Sequence, residues 1–223
     1  MSTKKKNDEP IVLDQALSRS EAFVLKYKTI ILAVIAVIVV AIAGSVLYNT
    51  YVAEPRKAEA AEAIFPAETL FAQEQYEAAL NGDNAGSLGF IQVAKEYKGT
   101  KTADLANAYA GLSLAKLERY DEAITYLKKF NGDDQMVAPS VLRTIGDCYA
   151  HLGDNAAAVK YLVKAADAAD NNSISPACLL SAGKIYEQMS EKSKALKLYE
   201  RIEKEYPASY QALDIAKHIE YVK

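Results

Sequence analysis

The sequence is poor in the residues on which several fold classes and binding sites depend. Among 223 residues there are 10 glycines, 6 prolines and no tryptophan. Sandwiches and barrels need many turns rich in glycine and proline, so this scarcity favours helices joined by short connections. Two cysteines exclude a disulfide-dense scaffold and a four-cysteine zinc site, and two histidines leave little material for a histidine-based metal site.

Charge is nearly balanced over the whole chain. The formal net charge is −3, which gives no reason to expect nucleic-acid binding. Hydrophobic residues make up 51% and charged residues 25% of the chain, a composition typical of a folded protein. The charge is unevenly spread, because residues 1–28 carry a net +2 and the remainder a net −5.

The longest apolar run, residues 29–48, contains no charged side chain. A helix of about 20 residues spans roughly 30 Å, the thickness of the hydrocarbon layer of a bilayer. Only a helix satisfies the backbone of a single apolar segment in lipid. The run therefore predicts a transmembrane helix that contacts the bilayer directly.

Basic residues flank this run mainly on its N-terminal side, where Lys26 and Lys28 adjoin it. We therefore expect residues 1–28 to be cytoplasmic and residues 49–223 to be exported. The alternative is a signal peptide, because Ala41-Ile42-Ala43 before Gly44 fits the small-x-small pattern of a cleavage site. We favour an uncleaved signal anchor, since the region before the run and the run itself are longer than in an ordinary signal peptide.

Three glycines spaced 35 and 37 residues apart anchor a repeated pattern: Gly111, Gly146 and Gly183. Twelve residues after each glycine there is an alanine: Ala123, Ala158 and Ala195. Sixteen residues after each glycine there is a large side chain: Leu127, Leu162 and Tyr199. Three residues after each glycine there is another: Leu114, Tyr149 and Tyr186. A period of this length is typical of helical repeat proteins.

This pattern resembles the tetratricopeptide repeat, W-x2-L-G-x2-Y followed by A-x3-F and a proline. The resemblance implies antiparallel helix pairs over residues 103–135, 138–170 and 175–207, with small residues where the two helices cross closely. Pro207 lies where the family has its proline. The sequence departs from the pattern at two positions. Where the family has tryptophan, this chain has Asn107, Leu142 and Leu179, and where the first two repeats would have proline it has Gln135 and Asp170.

Both ends of the repeat region are irregular. Residues 56–98 resemble a degenerate leading repeat, with Ala67 and Ala79 at the glycine and alanine positions, and we expect the loop-like residues 81–86 to delay its second helix. Residues 208–223 alternate apolar and charged residues as a capping helix would. The predicted fold class is therefore all-α, with an N-terminal transmembrane helix, a tetratricopeptide α-solenoid of about four helix pairs and a C-terminal capping helix.

The sequence holds no catalytic motif that we recognise, such as a phosphate-binding glycine loop or HExxH. We therefore expect no enzymatic activity, no cofactor and no metal. Cys148 and Cys178 could form a disulfide or a redox pair in an oxidising compartment. Because they lack CxxC spacing, we expect two small buried residues instead.

The resemblance also implies a partner-binding surface. In the family, residues at fixed offsets from the glycine lie on the concave face of the first helix of each repeat. The corresponding residues here are Lys116, Arg143, Asp147, His151, Lys184, Glu187 and Gln188. Side chains of both charge signs could accept an extended segment or a partner helix. The alternative is an ordinary solvated helix face.

The whole chain resembles the single-pass, tetratricopeptide-containing inner-membrane proteins of Gram-negative bacteria that accompany the Sec translocon and periplasmic chaperones. This resemblance implies a periplasmic adaptor or chaperone-like factor in protein secretion or envelope biogenesis. Its partners would be translocon subunits, periplasmic chaperones or exported clients. Two alternatives are a structural scaffold in a larger envelope complex and a soluble periplasmic protein released by cleavage after Ala43.

Overall fold

A computed structural model describes the backbone of residues 9–83 and 86–223, and the side chains of residues 23–83 and 86–223. Residues 1–8 of the predicted cytoplasmic segment lie outside the described residues, as do the side chains of residues 9–22. The chain divides into two units, residues 1–55 and residues 56–223, and each is described by itself.

The first unit contains the predicted membrane segment. Helix α1 (Glu9–Tyr48) includes the whole apolar run and is followed by a π-helical turn, Asn49–Ala53. Its apolar side chains face outward: Val37 is 69% and Val40 is 70% exposed. This is the one helix in the described residues that is long and apolar enough to cross a membrane. It is consistent with a single-pass anchor or with a signal sequence.

The second unit is built from helices, and its described residues contain no strand, only one isolated β-bridge. The helices are α2 (Glu54–Ala72, which begins two residues before the unit boundary), α3 (Tyr76–Asn81), α4 (Phe90–Glu96), α5 (Lys101–Lys116), α6 (Tyr120–Leu127), α7 (Val137–His151), α8 (Asn155–Ala169), α9 (Ser175–Gln188), α10 (Lys192–Glu205) and α11 (Ile215–Val222). A short 3₁₀ turn, Gln211–Leu213, precedes α11. This arrangement confirms the predicted fold class.

The three repeat glycines lie where paired helices cross. A Cβ atom built on Gly111 would lie 2.4 Å from Leu127 Cγ, and one on Gly183 would lie 2.2 Å from Tyr199 Cε1. The equivalent distance from Gly146 to Leu162 Cγ is 2.8 Å. Real Cβ atoms do not approach other atoms this closely, so each crossing needs glycine. The repeat alanines Ala123, Ala158 and Ala195 are fully buried at the same crossings.

The turns inside the helix pairs share one geometry. The residue seven positions after each repeat glycine has a positive φ: Glu118 (61°), Gly153 (80°) and Ser190 (62°). Glu74 (61°) has the same conformation seven residues after Ala67. At each turn the next amide donates back to the carbonyl five residues earlier, as in Asp154 N–H to Tyr149 O at 2.9 Å. The same turn joins α2 to α3, α5 to α6, α7 to α8 and α9 to α10.

The leading pair is interrupted. Its second helix, α3, begins at Tyr76 and ends at Asn81, and a further helix, α4, begins at Phe90. Gly82 and Leu88 then form an antiparallel bridge, and Gly89 N–H donates to Gln92 Oε1 at 3.0 Å to begin α4. A side chain at Gly82 would clash with Ser87 O at 2.4 Å.

Candidate functional site

The predicted binding residues of the second repeat lie four residues apart along α7 and therefore share one face. Arg143 Nε lies 3.8 Å from Asp147 Oδ2, and the imidazole of His151 stacks on the ring of Tyr120 at 4.5 Å between centroids. Arg143 and His151 are exposed, whereas Asp147 is partly buried. Burial raises the pKa of Asp147, and the nearby charges of Arg143 and His151 act in the opposite direction.

The predicted residues of the third repeat divide into two kinds. Lys184 and Gln188, four residues apart on α9, are exposed. Glu187 is engaged within the fold: it accepts a hydrogen bond from Tyr199 Oη, and its Oε1 lies 3.8 Å from His218 Nδ1. Its side chain is only 21% exposed. Glu187 therefore links α9 to α10 and α11.

The faces of α7 and α9 are neighbours. Leu142 on α7 packs against the buried cluster that contains Cys178 and Leu179 of α9. Lys116 is exposed in the last turn of α5, where a cation is favoured by the helix dipole. The structure thus brings the α7 and α9 residues to adjacent helices. Lys116 belongs to the preceding repeat.

Sequence reasoning missed an aromatic and lysine cluster between the first and second clear repeats. Lys128 Nζ donates to Tyr149 Oη at 2.7 Å and lies 5.1 Å from the centre of that ring. Tyr149 in turn stacks on Tyr161, with 5.5 Å between centroids. The hydrogen bond to Tyr149 raises the pKa of Lys128. The tyrosine three residues after Gly146 was the available signal, but its partner Lys128, directly after α6, is 21 residues away in sequence.

Both cysteines are free and buried, as predicted. Burial raises the pKa of each thiol to about 11. Neither thiol is therefore activated as a nucleophile. Within the described residues, no group of three His, Cys, Asp or Glu side chains could hold a metal ion.

Comparison with known families identifies the repeats. Tetratricopeptide-repeat family models match residues 143–172 and residues 177–209. The first segment covers most of α7 and all of α8, and the second covers most of α9 and all of α10. The matches support the tetratricopeptide family. No curated protein matches the chain. Tetratricopeptide repeats indicate a protein–protein interaction module, and the family is typically non-enzymatic.

Proposed function

We propose that this chain is a single-pass membrane protein that presents its tetratricopeptide solenoid on the periplasmic face of a bacterial inner membrane. The repeats would bind other proteins there, as an adaptor or chaperone-like factor in protein secretion or envelope biogenesis. The observation that carries this proposal is the exposed, mixed-charge face on two family-matched repeats that follow an exposed apolar helix.

The face that we propose for partner binding consists of Lys116, Arg143, Asp147, His151, Lys184 and Gln188. Charges of both signs lie close together on it, as in the Arg143–Asp147 pair. Such a surface suits an extended segment or helix of matching charge pattern, because complementary charges steer association and select the partner. Glu187, which the fold already uses, would act on a partner only indirectly.

Membrane attachment would add to the affinity of this face. A tether confines the repeats to the membrane surface and raises their effective concentration toward other membrane machinery. Translocon subunits, periplasmic chaperones and newly exported clients are all found there. A weak contact between this face and a partner is then sufficient for a functional interaction.

Photocrosslinking in intact cells tests the proposal. A photoreactive residue at Arg143 or Lys184 should capture a defined envelope protein that mass spectrometry identifies. The same residue at Lys160, exposed on α8 and outside the proposed face, is the control. Equal capture from all three positions, or none from any, would reject the partner-binding face.

A scaffold role is the second candidate, and one observation favours it. Three large side chains near the C-terminus are exposed: Tyr210 (82%), Leu213 (76%) and Tyr221 (68%). Exposed large side chains of this kind can belong to a permanent interface. A scaffold would migrate with a stable assembly on a native gel, and Leu213→Ser would release it. An adaptor would dissociate regardless of this substitution.

The third candidate is a soluble periplasmic protein released after Ala43. Intact-mass measurement of the mature protein decides between this form and the anchored one. A mass that begins at Gly44 would reject the anchor and leave the binding face as a separate question.

A further inference from the structure

A basic groove lies outside the candidate binding face, between α4, α5 and the end of α6. Its volume is about 830 Å³. Three lysines line it, Lys95, Lys98 and Lys129, against a single carboxylate, Asp104. Lys95 and Lys98 are exposed, and within the described part of the chain neither forms an ion pair with a carboxylate. The groove therefore carries an excess of positive charge that the fold leaves uncompensated.

The remainder of the lining suits an amphipathic ligand. Ile91, Ala94 and Tyr126 contribute apolar surface, and Asn107 contributes an amide. Lys129 Nζ lies 4.0 Å from the centre of the Tyr126 ring, which places a cation beside this apolar surface. A phospholipid has the chemistry that this lining would accept. The lysines and the amide would hold its phosphate oxygens, while its glycerol and upper acyl carbons would contact the apolar side chains.

The groove is held close to the start of the second unit. Arg56, the first residue of that unit, donates from its guanidinium to the carbonyl oxygen of Glu96 at 2.8 Å. Glu96 lies between the groove residues Lys95 and Lys98. The eight residues from the end of the apolar run at Tyr48 to Arg56 span at most about 29 Å, even when fully extended. The chain that joins the apolar run to the groove helices is therefore short.

We propose that the groove binds the headgroups of anionic phospholipids in the bilayer that anchors the chain. This inference rests on the membrane-anchored part of the proposed function. Anionic lipids at a membrane surface attract clustered lysines, with about a fivefold gain in binding per lysine. The attraction acts only within a Debye length, about 8 Å at physiological ionic strength, so the groove would have to meet the surface itself.

Headgroup binding would give the solenoid a preferred orientation. The groove residues belong to α4, α5 and the chain after α6, whereas the family-matched repeats are α7 to α10. Lipid bound at the groove would hold the leading end of the solenoid at the membrane and leave the later repeats free for a protein partner.

The absence of tryptophan allows a direct test. The full-length chain carrying Tyr126→Trp has a single tryptophan, which lies in the groove lining. The protein is incorporated into nanodiscs of neutral phosphatidylcholine, or of the same lipid with 30% phosphatidylglycerol, each containing a headgroup-attached spin-label quencher. We expect at least twofold stronger quenching in the anionic discs, and loss of that difference in 1 M salt.

Charge-neutral variants locate the effect. K95Q/K98Q should abolish the difference between anionic and neutral discs, whereas K160Q/K164Q, the same charge change on the exposed surface of α8, should retain it. Lys129 is left intact because it contacts the reporter position. Equal quenching in the two lipids, or equal loss in both variants, would overturn the proposal.

Two further outcomes are separable. If the chain does not enter nanodiscs at all, the membrane anchor fails, and the headgroup proposal fails with it. If the chain enters the discs and shows no lipid dependence, but soluble polyglutamate changes the tryptophan emission through Lys95 and Lys98, the groove binds acidic peptide and the lipid assignment is wrong while the anchor stands.

Discussion

The second and third repeats cross their helices at equivalent glycines but fill the crossing with different side chains. Leu162 lies against Gly146, and it ends in flexible methyl groups. Tyr199 lies against Gly183, and its ring is fully buried; a Cβ built on Gly183 would lie 2.2 Å from the ring, compared with 2.8 Å from a Cβ on Gly146 to Leu162 Cγ. Leu162 and Tyr199 occupy the same position of the repeat pattern, but only Tyr199, in the third repeat, adds a hydroxyl group.

This difference reflects what each repeat packs against. The second repeat is followed by another repeat, whereas the third is followed by the capping helix α11. The Tyr199 hydroxyl donates to Glu187, and the Tyr199 ring lies 5.2 Å from the imidazole of His218 on α11. Burial, followed by the hydrogen bond to Glu187, raises the pKa of Tyr199. Tyr199 therefore fills the crossing of the third repeat and also contacts the capping helix α11.

The largest expected effect comes from adding side-chain volume at the crossings. Gly183→Val should lower the free energy of unfolding by about 3 kcal/mol, because a rigid buried ring cannot move aside. Gly146→Val should cost less, about 1–2 kcal/mol, because the Leu162 side chain can rotate away. Urea denaturation of the full chain in detergent, followed by circular dichroism, measures both values.

Ala168→Val is the control for these substitutions. Ala168 is exposed on α8, so the change alters helix propensity without adding volume to a crossing. It should cost less than about 1 kcal/mol. If Gly183→Val cost no more than this control, the close approach of α9 and α10 would be wrong.

The second prediction tests the hydroxyl group of Tyr199, at the crossing of the third repeat. Tyr199→Phe keeps the ring but removes the hydrogen bond to the poorly exposed Glu187, so we expect a loss of about 1–2 kcal/mol. Tyr210→Phe, at a position that is 82% exposed, should be neutral. Hydrogen exchange of the α11 amides supplies the sharper readout. Faster exchange only in Tyr199→Phe supports the link to the cap, and equal exchange in both variants contradicts it.

The glycine-centred crossings were predictable from sequence because they need small residues at fixed spacing. Gly146, Ala158 and Leu162 form one such set, and the structure brings them together. The engagement of Glu187 was not predictable in this way. Its position along α9 is that of a residue on the candidate binding face. Only the crossing of α9 and α10 shows that the Tyr199 hydroxyl is close enough to donate a hydrogen bond to it.

The turns within the helix pairs were also beyond sequence reasoning. Only Gly153 has a residue type that signals a positive φ, whereas Glu118, Ser190 and Glu74 adopt the same conformation without one. Tertiary packing of the helix pairs therefore overrides local preference at three of these four turns. Glu74 has the same spacing from Ala67 that Glu118, Gly153 and Ser190 have from the repeat glycines.

The third prediction compares these turns between the same two repeats. Gly153→Ala should destabilise the second repeat by about 1 kcal/mol, because a Cβ is unfavourable at a φ of 80°. Ser190→Gly should stabilise the third by a smaller amount, because the left-handed conformation no longer carries that penalty. Urea midpoints test both substitutions. A shift in the same direction for both would show that the two turns are not equivalent.

The smallest expected difference between the repeats is at their cysteines. Cys148 and Cys178 are both buried, and burial raises the pKa of each thiol to about 11, above the ordinary value of 9.0. The unfolded chain therefore releases these protons at lower pH than the folded chain does. Each thiol contributes its full stabilisation below about pH 9 and loses it progressively as the pH rises to about 11.

At pH 10 the loss should be about 1 kcal/mol for each thiol, and near pH 7 it should be absent. Urea midpoints of the wild type, Cys148→Ala and Cys178→Ala at pH 7 and pH 10 measure it. Each variant should lose less stability between the two pH values than the wild type does, and by the same amount. Tyrosine and lysine titration is common to all three proteins and cancels. An effect from one cysteine alone would show that the repeat of the other cysteine opens to solvent more readily, because a solvated thiol has the same pKa in the folded and unfolded chain.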